Sequence, residues 1–302
     1  MQASEQAVRL SGRAIRSRIK KQLSPGNILT YILVLAVVAF SIFPLYYMAI
    51  TAFKPMDELY LFPPKFYVSR PTWDNFSSLL MAVGSSAVPF TRYIFNSLYT
   101  TALTVGLSVV ICSMAAYGLA KLRVPGANLI FSVVIAGIMF STHVTQIPTY
   151  MVVNGLHMID THWALIVPKL AAAYNMFLMK QFADQLPDAY IEAARIDGAT
   201  ERYIFWRIIM PQLRPAWSTV VVFSFVTCWN DMFGPLVFIS KPVLRTLPLA
   251  MQTIAGGVAS AAVSRAGATA AGTFLMIIPT VLIFLLMQKQ VINTMVHSGL
   301  KG

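Results

Sequence analysis

Residues 187–211 read PDAYIEAARIDGATERYIFWRIIMP, a polar and charged stretch in an otherwise apolar chain. The Glu-Ala-Ala run at 192–194 consists of strong helix formers. Gly198 accepts backbone conformations that residues with a Cβ atom resist, so two short helices can meet there at a sharp angle. The stretch therefore predicts one helix that ends near Asp197 and a second one that begins near Thr200.

The second helix carries apolar residues at helical spacing between positions 204 and 209, and this stripe is expected to pack on a helix bundle. We expect Pro211 to end the helix, because proline cannot continue one. The paired alanines would give the first helix a smooth face that fits a groove on a partner protein. The alternative is a solvated loop helix in which Glu192 and Arg195 form an i,i+3 pair. The predicted docking residues are Glu192, Ala193, Ala194, Arg195, Asp197, Gly198 and Pro211.

The rest of the chain has the composition of an integral membrane protein. Of its 302 residues, 57% are hydrophobic and 11% are charged, and the mean hydropathy is +0.67. These charges are too few to cover a soluble surface of this size. The predicted fold class is therefore an all-α membrane protein with six transmembrane helices, each long enough to cross ~30 Å of hydrocarbon. The six spans are 28–50, 94–120, 126–150, 162–182, 215–239 and 269–288.

The placement of lysine and arginine predicts the orientation of these spans. With the N-terminus inside, fifteen of the 23 basic residues fall on inner segments and seven on outer segments. Because basic residues concentrate on the cytoplasmic side of a membrane, both termini and the loop 187–211 are expected in the cytoplasm. The net charge of +12 is then explained by residues beside the membrane that contact anionic lipid, and it does not indicate nucleic-acid binding.

The chain divides by composition into three parts. Residues 1–27 form a basic cytoplasmic segment, residues 28–93 hold the first span and a long outside loop, and residues 94–302 form the core. The outside loop is rich in proline and aromatic residues, and it is too long for a simple connector. It either meets a substrate-delivery protein or caps the neighbouring spans.

Two charged residues lie inside predicted spans at matching depths. Lys169 is ~10 Å and Asp231 ~12 Å from the outer end of its span, at 1.5 Å per residue. Charges at such depth usually pair or face a cavity, so we predict that these two side chains contact each other, as a structural tie or as part of an outer gate. Neighbouring aromatic and amide side chains either line a path for a sugar or serve only helix packing. The candidate path residues are Lys169, Tyr174, Asn175, Trp229, Asn230 and Asp231.

The spacing from the Glu-Ala-Ala run to Gly198 and Pro211 resembles the EAA loop of ABC importer permeases. Met210 departs from that pattern, in which leucine usually precedes the proline, and the swap roughly conserves volume. Four wider stretches are similar to the carbohydrate branch, of the maltose type. They are AAYGLAKLRVPG at 115–126, IPTYMVVNGLHMIDTHWALIVP at 147–168, FLMKQFADQLPDAYIEAARIDGA at 177–199 and WNDMFGPLVF at 229–238.

The resemblance implies the type I ABC importer permease fold in a bacterial inner membrane. It implies a second permease subunit, a cytoplasmic ABC ATPase dimer and an extracytoplasmic sugar-binding protein as partners. ATP and Mg²⁺ would bind the ATPase, so this chain is expected to be no enzyme and to hold no cofactor or metal. In agreement, the sequence has no G-x-x-x-x-G-K-[ST] or H-E-x-x-H motif. The alternatives are a permease for another solute, an ion-coupled secondary transporter and a membrane scaffold.

The predicted orientation can be tested with a cysteine introduced at Ala199. We expect a membrane-permeant maleimide to label it in intact cells and an impermeant one to label it only after the membrane is opened, since the loop 187–211 faces the cytoplasm. Ready labelling from outside intact cells would overturn the orientation.

Overall fold

The computed structural model describes residues 25–84, 88–122, 124–255 and 265–299. Within these ranges the chain is built of helices and loops, without a β-strand. The chain divides into two compact units, Met1–Thr72 and Trp73–Gly302. Most of the predicted basic segment 1–27 lies outside the described residues.

The first unit contains a long helix followed by an ordered loop. Helix α1, Pro25–Ala52, covers the first predicted span, and α2, Met56–Leu59, follows it. Two buried charged residues hold the loop after α1: the Lys54 ammonium donates to the carbonyl of Lys65, and the Glu58 carboxylate accepts from the backbone N–H of Ser69 at 3.1 Å. This part of the loop that follows α1 therefore has a defined fold.

The second unit holds the remaining helices, several of which are short. A π-helical segment, Ile204–Ile209, lies between α10 and α11, and 3₁₀ turns occupy Val167–Lys169 and Pro242–Leu244. The α-helices are α3 Asp74–Gly84, α4 Phe90–Lys121, α5 Ala127–Met139, α6 Thr142–Gly155, α7 Trp163–Ile166, α8 Ala173–Gln185, α9 Ala189–Ile196, α10 Glu201–Tyr203, α11 Met210–Gln212, α12 Arg214–Trp229, α13 Phe233–Phe238, α14 Leu247–Ala255 and α15 Ala266–Gly299.

Helix α4 is the centre of this unit. It packs along α8 and α12, and α12 in turn packs on α15, which also contacts α3. The buried face of α4 is built largely of small side chains. Serine, threonine and alanine on that face allow neighbouring helices to approach closely, as is usual between transmembrane helices. The buried small residues of α4 are Ser97, Thr100, Thr101, Thr104, Ser108, Cys112, Ser113 and Ala116.

Only three of the six predicted spans are single helices in the structure. Among the described residues, α1, α4 and the part of α15 up to Val291 are long and apolar enough to cross a membrane. The predicted span 126–150 is instead α5 and α6, which bend by 113° at the extended residues Phe140 and Ser141.

The other two predicted spans are also interrupted. The span 162–182 consists of α7, a 3₁₀ turn that contains Pro168, and α8. The span 215–239 breaks between α12 and α13, where the polar residues Asn230 and Asp231 lie. Continuous spans were wrong at these three places, because an apolar run reports affinity for lipid and does not report where the backbone leaves helical geometry.

Candidate functional site

The turn in the loop 187–211 has the geometry that its glycine predicts. Helix α9 ends at Ile196 and is capped by Asp197, and Gly198 follows with φ +79°. The N–H of Ala199 donates to the carbonyl of Ala194 at 2.9 Å, and the N–H of Gly198 donates to that of Arg195 at 3.1 Å. These two bonds form a Schellman motif, whose left-handed position favours glycine. The predicted helix end near Asp197 is confirmed.

The second half of the loop begins as predicted and ends differently. The Thr200 hydroxyl accepts from the N–H of Tyr203 at 3.4 Å and caps the helix start. Helical geometry then continues through the π-helical segment and past Pro211 to Gln212, so the expectation that Pro211 ends the helix was wrong. A proline lacks an N–H and disturbs the turn before it, and here that turn has the wider π-helical winding, as at many functional sites.

The apolar face of the loop packs into the core of the second unit. Ile204 and Ile209 are fully buried or nearly so, and Ile191 and Phe205 lie beside them in the same cluster. The paired alanines had been expected to form one smooth face, but they do not share a face. Ala194 is buried in this core while Ala193 is exposed, since neighbouring helical residues point about 100° apart.

Glu201 connects the two sides of the turn to helix α4. Its Oε1 pairs with the Arg195 guanidinium, at 2.8 Å from Nη2 and 2.9 Å from Nε. Its Oε2 accepts a hydrogen bond from the Tyr117 hydroxyl at 2.6 Å. The Tyr117 bond, assisted by the Arg195 bond and charge and opposed by partial burial, lowers the pKa of the Glu201 carboxyl. Arg195 thus pairs with Glu201 and not with Glu192.

A second contact from α4 holds the entrance of the loop. The Lys121 ammonium donates to the carbonyl of Leu186 at 2.6 Å and forms an ion pair with Asp188 at 2.7 Å. The Lys121 side chain is 6% exposed, whereas the Asp188 side chain is 70% exposed, so the ion pair lies at the edge of the core. Tyr117 and Lys121 are one helical turn apart, and together they fasten the loop at two points.

The side of the loop 187–211 that faces away from the helix core is exposed. Glu192, Ala193, Arg195 and Asp197 are exposed, and Ile196 is 86% exposed although it is apolar. Beneath the turn lies a cavity of about 630 Å³ whose lining includes charged, polar and aromatic groups. The lining residues are Ala194, Asp197, Gly198, Ala199, Thr200, Tyr203, Arg207 and Ile208. Exposed apolar and charged groups next to a concave surface have the chemistry of a docking site.

The structure brings the two predicted membrane charges together. The Lys169 ammonium forms an ion pair with Oδ2 of Asp231. The Oδ1 atom of Asp231 accepts the backbone N–H of Gly234 at 3.1 Å, so the carboxylate also closes the break between α12 and α13. The predicted contact is confirmed. The two side chains are 27% and 16% exposed, respectively.

A cavity of about 630 Å³ lies beside this ion pair, lined in part by Lys169, Tyr174 and Asn175. The Tyr174 ring meets the Phe223 ring edge to face at 5.8 Å between centroids. Asn175 is buried, and its amide donates to the hydroxyls of Ser108 and Ser224 at 3.3 and 2.8 Å.

Two other candidate path residues lie away from this cavity. Trp229 is 2% exposed, and its indole N–H donates to the carbonyl of Met276 at 2.8 Å. The Asn230 side chain is exposed and donates to the carbonyl of Val226, one turn back in its own helix, at 2.9 Å. In this chain Trp229 thus ties α12 to α15.

Sequence reasoning missed the contacts that α4 makes with the loop. Neither Tyr117 nor Lys121 was singled out, although both lie in the stretch 115–126 that carries part of the resemblance. Glu201 was not among the predicted docking residues. A tyrosine and a lysine four residues apart at the C-terminal end of an apolar helix are the signal that was available.

The similarities of this chain to known proteins agree with a helical membrane protein. Residues 108–292 match the family described as binding-protein-dependent transport system inner membrane component. This chain belongs to that family. The permease is 30% identical to the sn-glycerol-3-phosphate transport system permease protein UgpE of Yersinia enterocolitica, over 90% of this chain and 96% of the relative.

Two further relatives resemble this permease over most of their length. The arabinooligosaccharides transport system permease protein AraQ of Bacillus subtilis is 28% identical, over 86% of this chain and 91% of its own. A putative ABC transporter permease protein, ORF2, of Caldicellulosiruptor is 31% identical over the same shares. A chain from the crystal structure of a bacterial ABC transporter involved in import of the acidic polysaccharide alginate superposes with a TM-score of 0.77 at 20% identity, covering 87% of this chain and 95% of that one. The permease therefore has the type I ABC importer permease fold, and it is an inner-membrane transport component.

The Lys169–Asp231 pair can be tested with a double-mutant cycle. We expect Lys169→Met alone to lower the melting temperature of the purified permease, because it strands a partly buried carboxylate at a cost of up to about 3 kcal/mol. Combined with Asp231→Asn, which can still accept the N–H of Gly234, the loss should be partly recovered. Strictly additive shifts in melting temperature would show that the two side chains do not stabilise each other.

Proposed function

We propose that this chain is a permease subunit of an ATP-driven importer for a carbohydrate or a closely related polyol compound. It forms one half of the translocation path, beside a second permease subunit. An ABC ATPase dimer on the cytoplasmic side binds ATP and Mg²⁺ and performs the hydrolysis, and an extracytoplasmic binding protein delivers the solute. Both termini of this chain lie in the cytoplasm.

The observation that carries the proposal is the loop from Pro187 to Pro211. It is held to the bundle by a buried apolar face and by two polar contacts from α4. Its opposite side presents the exposed residues Glu192, Arg195, Ile196 and Asp197, of which Asp197 also lines the cavity. A rigidly mounted element with an open mixed surface suits a partner that must push on the bundle, because the motion of that partner is then not lost in a flexible connector.

The cavity beside Lys169 supports the path through the bundle. The Tyr174 and Phe223 rings are 46% and 41% exposed, and threonine side chains at 142, 145 and 227 line the same space. Aromatic faces and hydroxyl groups bind the apolar ring faces and the hydroxyls of sugars. A volume of about 630 Å³ lies within the usual range for small-molecule sites.

The substrate class rests on the relatives together with this lining. The named relatives serve arabinooligosaccharides and sn-glycerol-3-phosphate, and the structural neighbour imports alginate. All three solutes carry several hydroxyl groups. We therefore favour a hydroxyl-rich solute over an amino acid or a metal ion for this permease.

Uptake by the reconstituted complex tests the function. The permease would be co-purified with its partner permease and ATPase, placed in proteoliposomes and supplied with the binding protein. The probes are a labelled arabino-oligosaccharide, sn-glycerol-3-phosphate and an alginate oligosaccharide, with a labelled amino acid as the control solute. We expect uptake of at least one of the three that requires ATP and is blocked by vanadate.

The alternatives give different results in the same assay. Uptake that survives without ATP and collapses with a protonophore would identify an ion-coupled secondary transporter and overturn the proposal. ATP-dependent uptake of the amino acid alone would retain the ABC mechanism and reject the carbohydrate.

Glycine substitutions test the role of the turn. Gly198 has φ +79°, and no atom lies within 4 Å of an added Cβ, so a side chain acts through backbone strain alone. An L-residue there costs about 1–2 kcal/mol, and a β-branched one is the least tolerated. We expect Gly198→Val to reach the membrane but to lose co-purification of the ATPase, and Gly198→Asn to retain most of it.

The loop between α4 and α5 offers a matched control. Gly126 has φ +77° and also has no atom within 4 Å of an added Cβ, so Gly126→Val imposes the same strain in a turn outside the proposed docking surface. Equal loss of the ATPase in Gly126→Val and Gly198→Val would attribute the effect to general misfolding. Normal co-purification of the ATPase with the Gly198→Val permease would show that residues 187–211 are only a connecting loop.

A further inference from the structure

Among the described residues of the second unit, helix α4 is the one long helix without proline. Its 32 residues run without interruption, whereas α15 contains Pro279 and the neighbouring predicted spans are broken. From Asn96 to Tyr117 the helix rises ~32 Å at 1.5 Å per residue, about the thickness of a bilayer core. A continuous helix transmits an axial or tilting displacement better than a broken one does, and α4 has neither a proline nor a π-helical break.

The inner end of α4 is bonded to the loop 187–211, which we call the coupling loop, and to Leu186 just before it. Tyr117 donates to Glu201, and Lys121 donates to Leu186 and pairs with Asp188. Tyr117 itself is 4% exposed, so its hydroxyl is the buried member of a charge-assisted bond, a class stronger than neutral bonds.

The outer end of α4 is bonded to the segment 240–247, which leads into α14. The Asn96 amide donates to the carbonyls of Val243 and Arg245 at 2.7 and 2.9 Å. The Ser97 hydroxyl accepts from the N–H of Leu247 at 2.7 Å. Asn96 is fully buried and Ser97 is 2% exposed.

Helix α4 also packs along α8 and α12, so these bonds add to contacts that it already makes. Their position at the two extremities is the informative feature. Each set joins α4 to a chain segment far away in sequence: residues 186–201 at the inner end and residues 243–247 at the outer end. Movement of either segment therefore exerts a force on the same helix.

We propose that α4 is the mechanical link between the coupling loop and the outer segment 240–247, with Tyr117 and Ser97 as its positioning residues. The proposal rests on the proposed function, in which the loop receives the movement of an ATPase. Displacement of the loop pulls on α4 through Tyr117, and α4 moves the outer segment through Asn96 and Ser97. The reverse path lets an event at the outer face change ATP hydrolysis inside.

The first test measures movement at the outer segment of the complete transporter. A cysteine at Val243, a residue that is 48% exposed, leaves the carbonyl that binds Asn96 unchanged. Its rate of labelling by an impermeant maleimide is measured with and without ATP and vanadate. We expect nucleotide to change the rate in the otherwise unmodified permease. With Tyr117→Phe, which removes one of the two polar contacts between α4 and the loop 187–211, we expect nucleotide to change the rate clearly less.

Tyr93→Phe is the matched control. Tyr93 is also a buried residue of α4, and within the described part of the chain its hydroxyl makes no hydrogen bond. It should behave like the unmodified permease. A Tyr117→Phe permease that co-purifies with the ATPase and still shows the full nucleotide-dependent change would overturn the link. Absence of any change in the unmodified complex would instead count against the proposed function.

The second test measures ATP hydrolysis stimulated by the binding protein. We expect Tyr117→Phe to reduce the ratio of stimulated to unstimulated hydrolysis by about tenfold, as for the loss of one hydrogen bond to a charged acceptor. Ser97→Ala should reduce the same ratio from the opposite end of the helix. If the two bonds act in series, the double variant is no worse than the more severe single variant. Multiplicative losses in the double variant would show two independent effects and reject the link.

Discussion

The interior of a bilayer has no water to satisfy free backbone groups, so a transmembrane helix can break only where the protein itself supplies the hydrogen bonds. Three of the six predicted spans of this permease are broken, and α4 borders the broken neighbours. The thiol of Cys112 lies 3.7 Å from the carbonyl of Leu170, just before α8 begins. Asp231 fills the gap between α12 and α13 by accepting the N–H of Gly234. Cys112 and Asp231 thus contact backbone groups where the helical geometry is irregular.

In the loop 187–211, apolar burial and polar contacts have different roles. Burial of Ile204, Ile209 and their neighbours supplies most of the free energy that keeps the loop on the bundle, at about 25 cal/mol per Å² of apolar surface. The Arg195–Glu201 pair is about half exposed on both sides, and such pairs contribute little to stability. Its value is geometric. Together with Tyr117, it sets the direction in which the second half of the loop leaves the turn at Gly198.

The sequence predicted the elements whose cause is local. Gly198 has a left-handed backbone because the turn needs one, and the long apolar runs at α1, α4 and α15 are continuous helices. The Lys169–Asp231 contact was also predicted, because two charges at equal depth in a membrane have few other partners. The breaks at Phe140–Ser141 and after Trp229 were not predicted, since each run is apolar over most of its length although polar residues lie at the breaks.

Contacts between segments far apart in the sequence were also not predicted, because local sequence patterns do not show them. The bond between Tyr117 and Glu201 joins residues 84 positions apart, and neither residue has a local pattern that names the other. The exposure of Ala193 and the burial of Ala194 follow from the rotation of α9 on the core, which residue identity does not reveal. Pro211 shows the limit of a local rule: the helix passes through it because the preceding turn widens to π-helical winding.

The cavity near Lys169 lies among the broken helices. The groups that line it limit which solutes it can bind. Because the Lys169 ammonium is paired with Asp231, these two residues together add no net charge to the cavity wall. The Asn175 amide is likewise occupied by two serine hydroxyls. What remains available to a solute is the aromatic pair Tyr174 and Phe223 and a set of threonine side chains. Such a wall distinguishes ring faces and hydroxyl groups better than it distinguishes charge. In this permease, selection between a neutral and an acidic solute would therefore fall to the second permease subunit or to the binding protein.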